Sequence, residues 1–160
     1  MKIGVVSDTH IPRNAFELPE VLLKGLSDCD LILHAGDMVE LFVAEQLGAI
    51  APFKGVAGNM DDVVVRDNFP AKQIIKVDNV TIGLIHGFGR PKEIIQTIKK
   101  EFPSDIDIIV FGHTHMAINE VVGKTLFFNP GSPTDKIFAK FNSYGILNIT
   151  DTIKGEIIKI

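Results

Sequence analysis

The chain has 160 residues, 46% of them hydrophobic and 22% charged, with a formal net charge of −4 and one cysteine. That length suits one domain over 1–160 with a core of its own, and the composition is that of an ordinary globular chain. The net charge argues against bulk nucleic-acid binding through a basic surface. Cys29 excludes an internal disulfide and fits a reducing compartment. No apolar run approaches the roughly 20 residues that cross a bilayer. Met1–Val6 has neither the apolar stretch nor the cleavage site of a secretory signal. The expected location is the cytoplasm, with no membrane partner.

The apolar runs alternate with helix-like segments. Ile3–Val6 reads as a short buried strand. Residues 19–27 read as a helix, with Pro19 at a first helical position and Leu22, Leu23 and Leu26 on one face. Asp30–Leu33 is a second strand, Val39–Leu47 a second helix closed by Gly48, and Phe53–Ala57 a third extended segment. Residues 61–72 are ambiguous. Gln73–Val77 and Val80–Ile85 form a hairpin around Asp78-Asn79. Pro91 opens a third helix, with Ile94, Ile95 and Ile98 inward and Pro103 past its end, before a strand over Ile106–Phe111. The remainder is strand-like: Ile118–Val122, Thr125–Phe128, Tyr144–Ile149 and Glu156–Ile160, with turns at Gly123-Lys124 and 151–155. An α/β chain with a mostly β last third predicts mixed sheets covered by helices.

Five apolar runs end in metal-ligand chemistry: Asp8-Thr9-His10, Asp37, Asn59, His86, and His113-Thr114-His115. In open α/β sheets, ligands bind beyond the carboxyl ends of the strands, so five strand ends would bring seven donors to one edge. Gly36, Gly58, Gly87 and Gly112 each neighbour a donor, where backbone must turn tightly or approach a ligand. Asp8/His10 and His113/His115 are alternate residues, which share a face in extended chain. Paired metals in hydrolases sit about 3.5–4 Å apart, which asks for a bridging carboxylate; Asp37 is the best placed. One histidine alone is more often a packing or surface residue, Asp8 could be a turn former, and Asn59 could belong to an Asx turn. Four of five histidines at strand ends in one register make separate structural explanations unlikely. His34, inside a strand, is expected to support the ligands rather than join them.

In order, Asp8-x-His10, Gly36-Asp37, Gly58-Asn59, His86 and Gly112-His113-x-His115 resemble the calcineurin-like metallophosphoesterase superfamily. Asn129-Pro130-Gly131-Ser132 extends the likeness towards its small single-domain phosphodiesterase branch. The resemblance implies a four-layer α-β-β-α sandwich of two mixed sheets. It implies one metal on Asp8, His10, Asp37 and His115, and a second on Asp37, Asn59, His86 and His113. It further implies hydrolysis of a small phosphate ester by in-line attack of a hydroxide bridging the ions, with Asp37, Asn59 and His113 central to catalysis and a phosphodiesterase expected ahead of a phosphomonoesterase. Many members carry a histidine directly after the asparagine. Met60 stands there instead, and a thioether donates no proton, so the acid for the leaving group is left open.

Two divalent cations against two carboxylates leave a formal charge of about +2, an anion trap. Nitrogen and oxygen ligands without thiolate suit Mn²⁺, placed first, or Fe, Zn²⁺, Co²⁺ or Ni²⁺, over Ca²⁺ and Mg²⁺. Arg13 and Arg90 follow ligand turns and are candidates to grip phosphate, against the alternative of solvated surface arginines. A homo-oligomer is left open. Two rivals stand: a non-catalytic scaffold or interaction module on the same fold, and a nucleotide-binding α/β module. The first expects lost ligands, yet all seven positions are filled. The second lacks a G-x-G-x-x-G after the first strand.

Overall fold

A computed structural model describes residues 1–160. The first sheet grows around β1 (Lys2–Val6). It pairs in parallel with β2 (Leu31–His34), which pairs in parallel with β3 (Phe53–Gly55). The crossovers carry α1 (Glu20–Leu26) and α2 (Leu41–Gly48), and α3 (Val63–Asn68) follows β3. β9 (Ser143–Ile149) and β10 (Ile153–Lys159) return antiparallel on the other side of β1, giving the order β10-β9-β1-β2-β3. The second sheet has the order β4-β5-β6-β8-β7. Its strands are β4 (Lys72–Val77), β5 (Val80–Ile85), β6 (Ile108–Val110), β7 (Ile118–Val122) and β8 (Thr125–Asn129), with α4 (Ile94–Lys99) between β5 and β6. β5, β6 and β8 are parallel neighbours, and the edges are hairpins.

Period-two alternation sorts the side chains into layers. Ile3, Val5, Leu31 and Leu33 from one sheet meet Ile82, Leu84, Ile108, Val110 and Phe128 from the other in a buried inter-sheet core. On the outer face of the first sheet, Val6 and Ile32 pack against Leu22, Leu26, Val43, Leu47 and Val65 of the helices. On the outer face of the second, Ile109, Phe111 and Phe127 cover Ile94 and Ile98 of α4. Helix, sheet, sheet, helix is the four-layer sandwich expected. The helices have only six to eight residues. Isolated helices below about 12 residues are marginal, whereas each fully buried aliphatic side chain contributes about 2 kcal/mol. Burial, rather than propensity, keeps them folded.

Several boundaries differ from expectation. α2 starts at Leu41 rather than Val39, because Val39 is tied down: its N–H donates to Asp61 Oδ1 (2.6 Å), its carbonyl accepts from Asp62, and its φ is 79°. Gly48 closes the helix from inside. The ambiguous 61–72 segment contains α3, capped by Asp62 Oδ1 accepting from Val65 N–H (2.8 Å). α4 starts at Ile94 rather than Pro91, and β6 shrinks to Ile108–Val110 while Ile106 joins the α4 core. Residues 7–19 form no helix after β1, so the helix terminus a dinucleotide module needs there is missing. No helix is long and apolar enough to cross a membrane.

Candidate functional site

β1, β2, β3, β5 and β6 all deliver their carboxyl ends to one edge, where short turns carry the polar residues. Bonds across the sheets fix those turns against each other. His113 N–H donates to the Asp8 carboxylate (3.2 and 3.1 Å), and His86 Nδ1–H donates to Ala35 O (2.8 Å). Two glycines permit this closeness. A Cβ on Gly112 would overlap Ser7 Oγ, and one on Gly58 would overlap the Asp37 carboxylate.

The donors share an unusual backbone. Asp8 (φ 55°), His10 (45°), Asp37 (57°), His113 (69°) and His115 (57°) are all left-handed. Such residues cost about 1–3 kcal/mol each and persist where surrounding bonds over-determine them. Here those bonds are explicit. Asp8 and His10 N–H donate to Gly36 O and Asp37 O (both 3.0 Å). Ser132 Oγ–H donates to Asp8 O (2.7 Å) and Thr134 Oγ1–H to Thr9 O (2.6 Å). Asp61 accepts from Asp37, Val39 and Gly58 N–H (3.1, 2.6 and 2.6 Å).

Two donor groups result, Asp8/His10/His115 and Asp8/Asp37/His86, each with its ligand atoms within 4.8 Å of one another. His10 Nε2 lies 3.2 Å from His115 Nε2, 3.8 Å from Asp8 Oδ1 and 3.6 Å from Asp37 Oδ2. His115 Nε2 is 3.4 Å from Asp8 Oδ1, and His86 Nε2 is 3.2 Å from Asp37 Oδ2. Both Asp8 and Asp37 therefore reach donors on either side. The imidazole orientations are set from behind. His115 Nδ1 pairs with Asp135 Oδ2 (2.6 Å), and His113 Nε2–H donates to Gly89 O (3.2 Å). His34 is wholly buried: Gly36 N–H donates to its Nδ1 and Nε2–H donates to Thr9 Oγ1 (both 3.2 Å). Burial outweighs the nearby carboxylates and lowers its pKa to about 3, so it is a neutral prop beneath the ligand turn.

This chemistry fits a divalent metal. His86 Nε2 is buried with no aligned hydrogen-bond partner, although Asp37 is close enough for charge attraction. Two ring nitrogens at 3.2 Å, ringed by carboxylates, likewise suit a shared cation. Burial pulls the His86 imidazole down, but Asp37 and Asp8 outweigh it and hold it at about 9. Burial is likewise overcome at His115 by Asp8 and Asp135, again to about 9. At His10 burial prevails over Asp37 and Asp8, and the pKa falls. The sign follows. Below about pH 9, His86 and His115 are protonated without metal, and metal must displace those protons. Affinity should rise with pH and level off above about 9. Calorimetric titration in two buffers at pH 7.5 should register release of about two protons on full loading. Proton-neutral binding would contradict the assignment.

The sequence-derived residues fall unevenly. A cavity of about 420 Å³ opens over the donors and is lined by His10, Asp37, Asn59, His113, His115 and Arg13. Asn59 is exposed on its wall, and His113 lies outside both carboxylate–imidazole groups. Arg90 is exposed and lines no cavity: its turn spends the Gly89 carbonyl on His113 and sends Pro91 to the wall instead. Asp135 and Thr134 also serve the site, as does Arg66, whose Nη2–H donates to Asn59 O (2.9 Å). The asparagine–proline–glycine–serine run pointed at Ser132; the others carry no local signal.

Residues 1–152 match the calcineurin-like phosphoesterase superfamily domain. A probable metallophosphoesterase of Methanocaldococcus jannaschii is 34% identical, across all of this chain and 82% of its own length. A phosphodiesterase of the same organism is 25% identical over 82% of this chain and 83% of its own. Among solved structures, Vps29 of Entamoeba histolytica in complex with Zn²⁺ superposes with a TM-score of 0.78 at 25% identity, covering 99% of both chains. With the ordered donor set, the strand-end geometry and a domain match over nearly its whole length, this chain belongs to the calcineurin-like phosphoesterase superfamily.

Proposed function

We propose that the protein is a phosphodiesterase working with two divalent ions, Mn²⁺ first among them, on a small phosphate ester in the cytoplasm. One ion would rest on Asp8, His10, Asp37 and His115, the other on Asp37, Asn59, His86 and His113. The observation that carries this is convergence. Donors from four strand ends, Asp8 and His10, Asp37, His86 and His115, meet at one edge around the buried His86 Nε2, which has no aligned hydrogen-bond partner. When bound, such ions lower the pKa of water and neutralise phosphate oxygens. The chain's own part is to hold the donors still: Asp135 and the Gly89 carbonyl orient two imidazoles, and Asp61 clamps the Asp37 and Gly58 turns. Arg13, on the cavity wall, is assigned to a phosphate oxygen. Met60 gives the leaving group no proton, which favours esters with good leaving groups. Support for a diester comes from the M. jannaschii phosphodiesterase, and for metal from the Zn²⁺ complex of Vps29.

His113→Ala, assayed with saturating Mn²⁺ on bis(p-nitrophenyl) phosphate, should lose roughly 10²-fold in kcat, the scale of one charge-stabilising group. Unchanged turnover removes His113 from the site. The interaction-module reading would leave the ligand positions idle, and it gains ground if no phosphoester is hydrolysed with any divalent ion.

A further inference from the structure

Beside the donor cavity lies a second one of about 610 Å³, and the two share Asn59 as a common wall. We propose that this second cavity is a subsite for one arm of the diester, an arm bearing a planar base and a further phosphate. The substrate class would then be a short 5′-phosphorylated dinucleotide. The inference rests on the phosphodiesterase reading and adds the identity of the substrate's arms.

A phosphomonoester has one organic arm, a diester two. A reacting phosphate at the donors has a cavity on either side of Asn59, and the larger has the volume of a nucleotide-sized pocket. Its lining supplies the chemistry. Arg66 spends one N–H on the Asn59 carbonyl and keeps the rest of its five donors. Lys72 is paired with Glu101 (2.7 Å) on the same wall, whereas Arg66 has no carboxylate partner and is the cation free to take an anion. Phe69 is braced edge-on by Phe53, with ring centroids 5.8 Å apart, and Phe88 is 48% exposed. A cation beside rigid and exposed rings is how single-stranded nucleotides are gripped without sequence preference. The net charge of −4 argues against a long polyanion, and the one unpaired cation on this wall, Arg66, matches one extra phosphate.

The test compares pApA, ApA and bis(p-nitrophenyl) phosphate on the Mn²⁺-loaded protein. The expected kcat/KM for pApA exceeds that for ApA by about tenfold, the scale of one charge-assisted contact. In Arg66→Gln that ratio should collapse towards one. In Phe88→Ala both dinucleotides should fall about fivefold relative to the aryl diester, as lost stacking requires. In parallel, AMP is titrated into metal-free protein by NMR, where it should shift the amides of Arg66, Phe69 and Phe88 and bind about tenfold more weakly to Arg66→Gln. If bis(p-nitrophenyl) phosphate is cleaved but pApA has no advantage and AMP does not bind, the subsite is overturned and the phosphodiesterase reading stands. If AMP binds in an Arg66-dependent way while no diester is cleaved, the subsite is upheld as a nucleotide site and the hydrolase reading falls.

Discussion

Asp37→Ala is expected to lose bound metal and turnover together. Its Oδ2 lies 3.2 Å from His86 Nε2 and 3.6 Å from His10 Nε2, so this one oxygen faces an imidazole from each donor group. Its Oδ1 accepts the Met60 N–H (2.7 Å), which fixes the carboxylate plane and ties it to the Asn59 turn. Burial opposes its ionisation, but His86, the Met60 N–H and His10 outweigh that and hold it below the usual carboxylate range. It is therefore charged wherever metal can bind. Losing it should cut kcat/KM on bis(p-nitrophenyl) phosphate by about 10³-fold or more, because a charge meant for both ions disappears from a dry site. Elemental analysis should find less than full loading in the same preparation. Asp37→Asn, which keeps an acceptor for Met60 and tolerates a left-handed backbone, separates the electrostatic loss from collapse of the turn. Two tightly held ions in Asp37→Ala would sink the shared-ligand assignment.

Asp61→Ala should be the most damaging single change to stability near the site. The carboxylate is 2% exposed, and burial pushes its pKa up despite three main-chain donors. Alanine leaves the buried N–H groups of Asp37 and Val39 and the half-buried one of Gly58 without acceptors. At about 1–3 kcal/mol for each unsatisfied donor, and less than additively, the loss should be roughly 3–5 kcal/mol. Urea unfolding of the metal-free protein measures it. Asp61→Asn, which retains an acceptor oxygen, should lose clearly less. A destabilisation under about 1 kcal/mol in Asp61→Ala would mean that the clamp is dispensable. Turnover should fall as well, because the same bonds hold the Asp37 turn against the Gly58-Asn59 turn.

The donors were legible because strands are local. An apolar run with a polar residue just past its end is a pattern within ten positions, and parallel pairing of β1, β2, β3, β5 and β6 does the rest. The supports were not, because their bonds span the chain. Ser132 reaches Asp8 across 124 positions and Thr134 reaches Thr9 across 125. Asp135 behind His115 is an ordinary surface-type residue until the fold closes over it, and Arg66 beside Asn59 stays exposed, indistinguishable in sequence from a solvated arginine. Helix starts failed for the same reason. Val39 looks helical by composition, but Asp61, 22 positions away, takes its N–H and holds it left-handed. Arg13 and Arg90 were equal candidates by distance along the sequence, and only the course of the 87–91 turn separates them.

The five left-handed donors also set a direction for drift. Glycine in place of His10, His113 or His115 would relax the main chain at that point, so the polypeptide is held in its working shape against its own torsional preference. A lineage relieved of the need for chemistry would find robustness downhill, trading imidazoles for glycine while the sandwich beneath stayed whole. Fold and reactivity are thus separable inheritances here, and an intact ligand set is something selection must keep renewing.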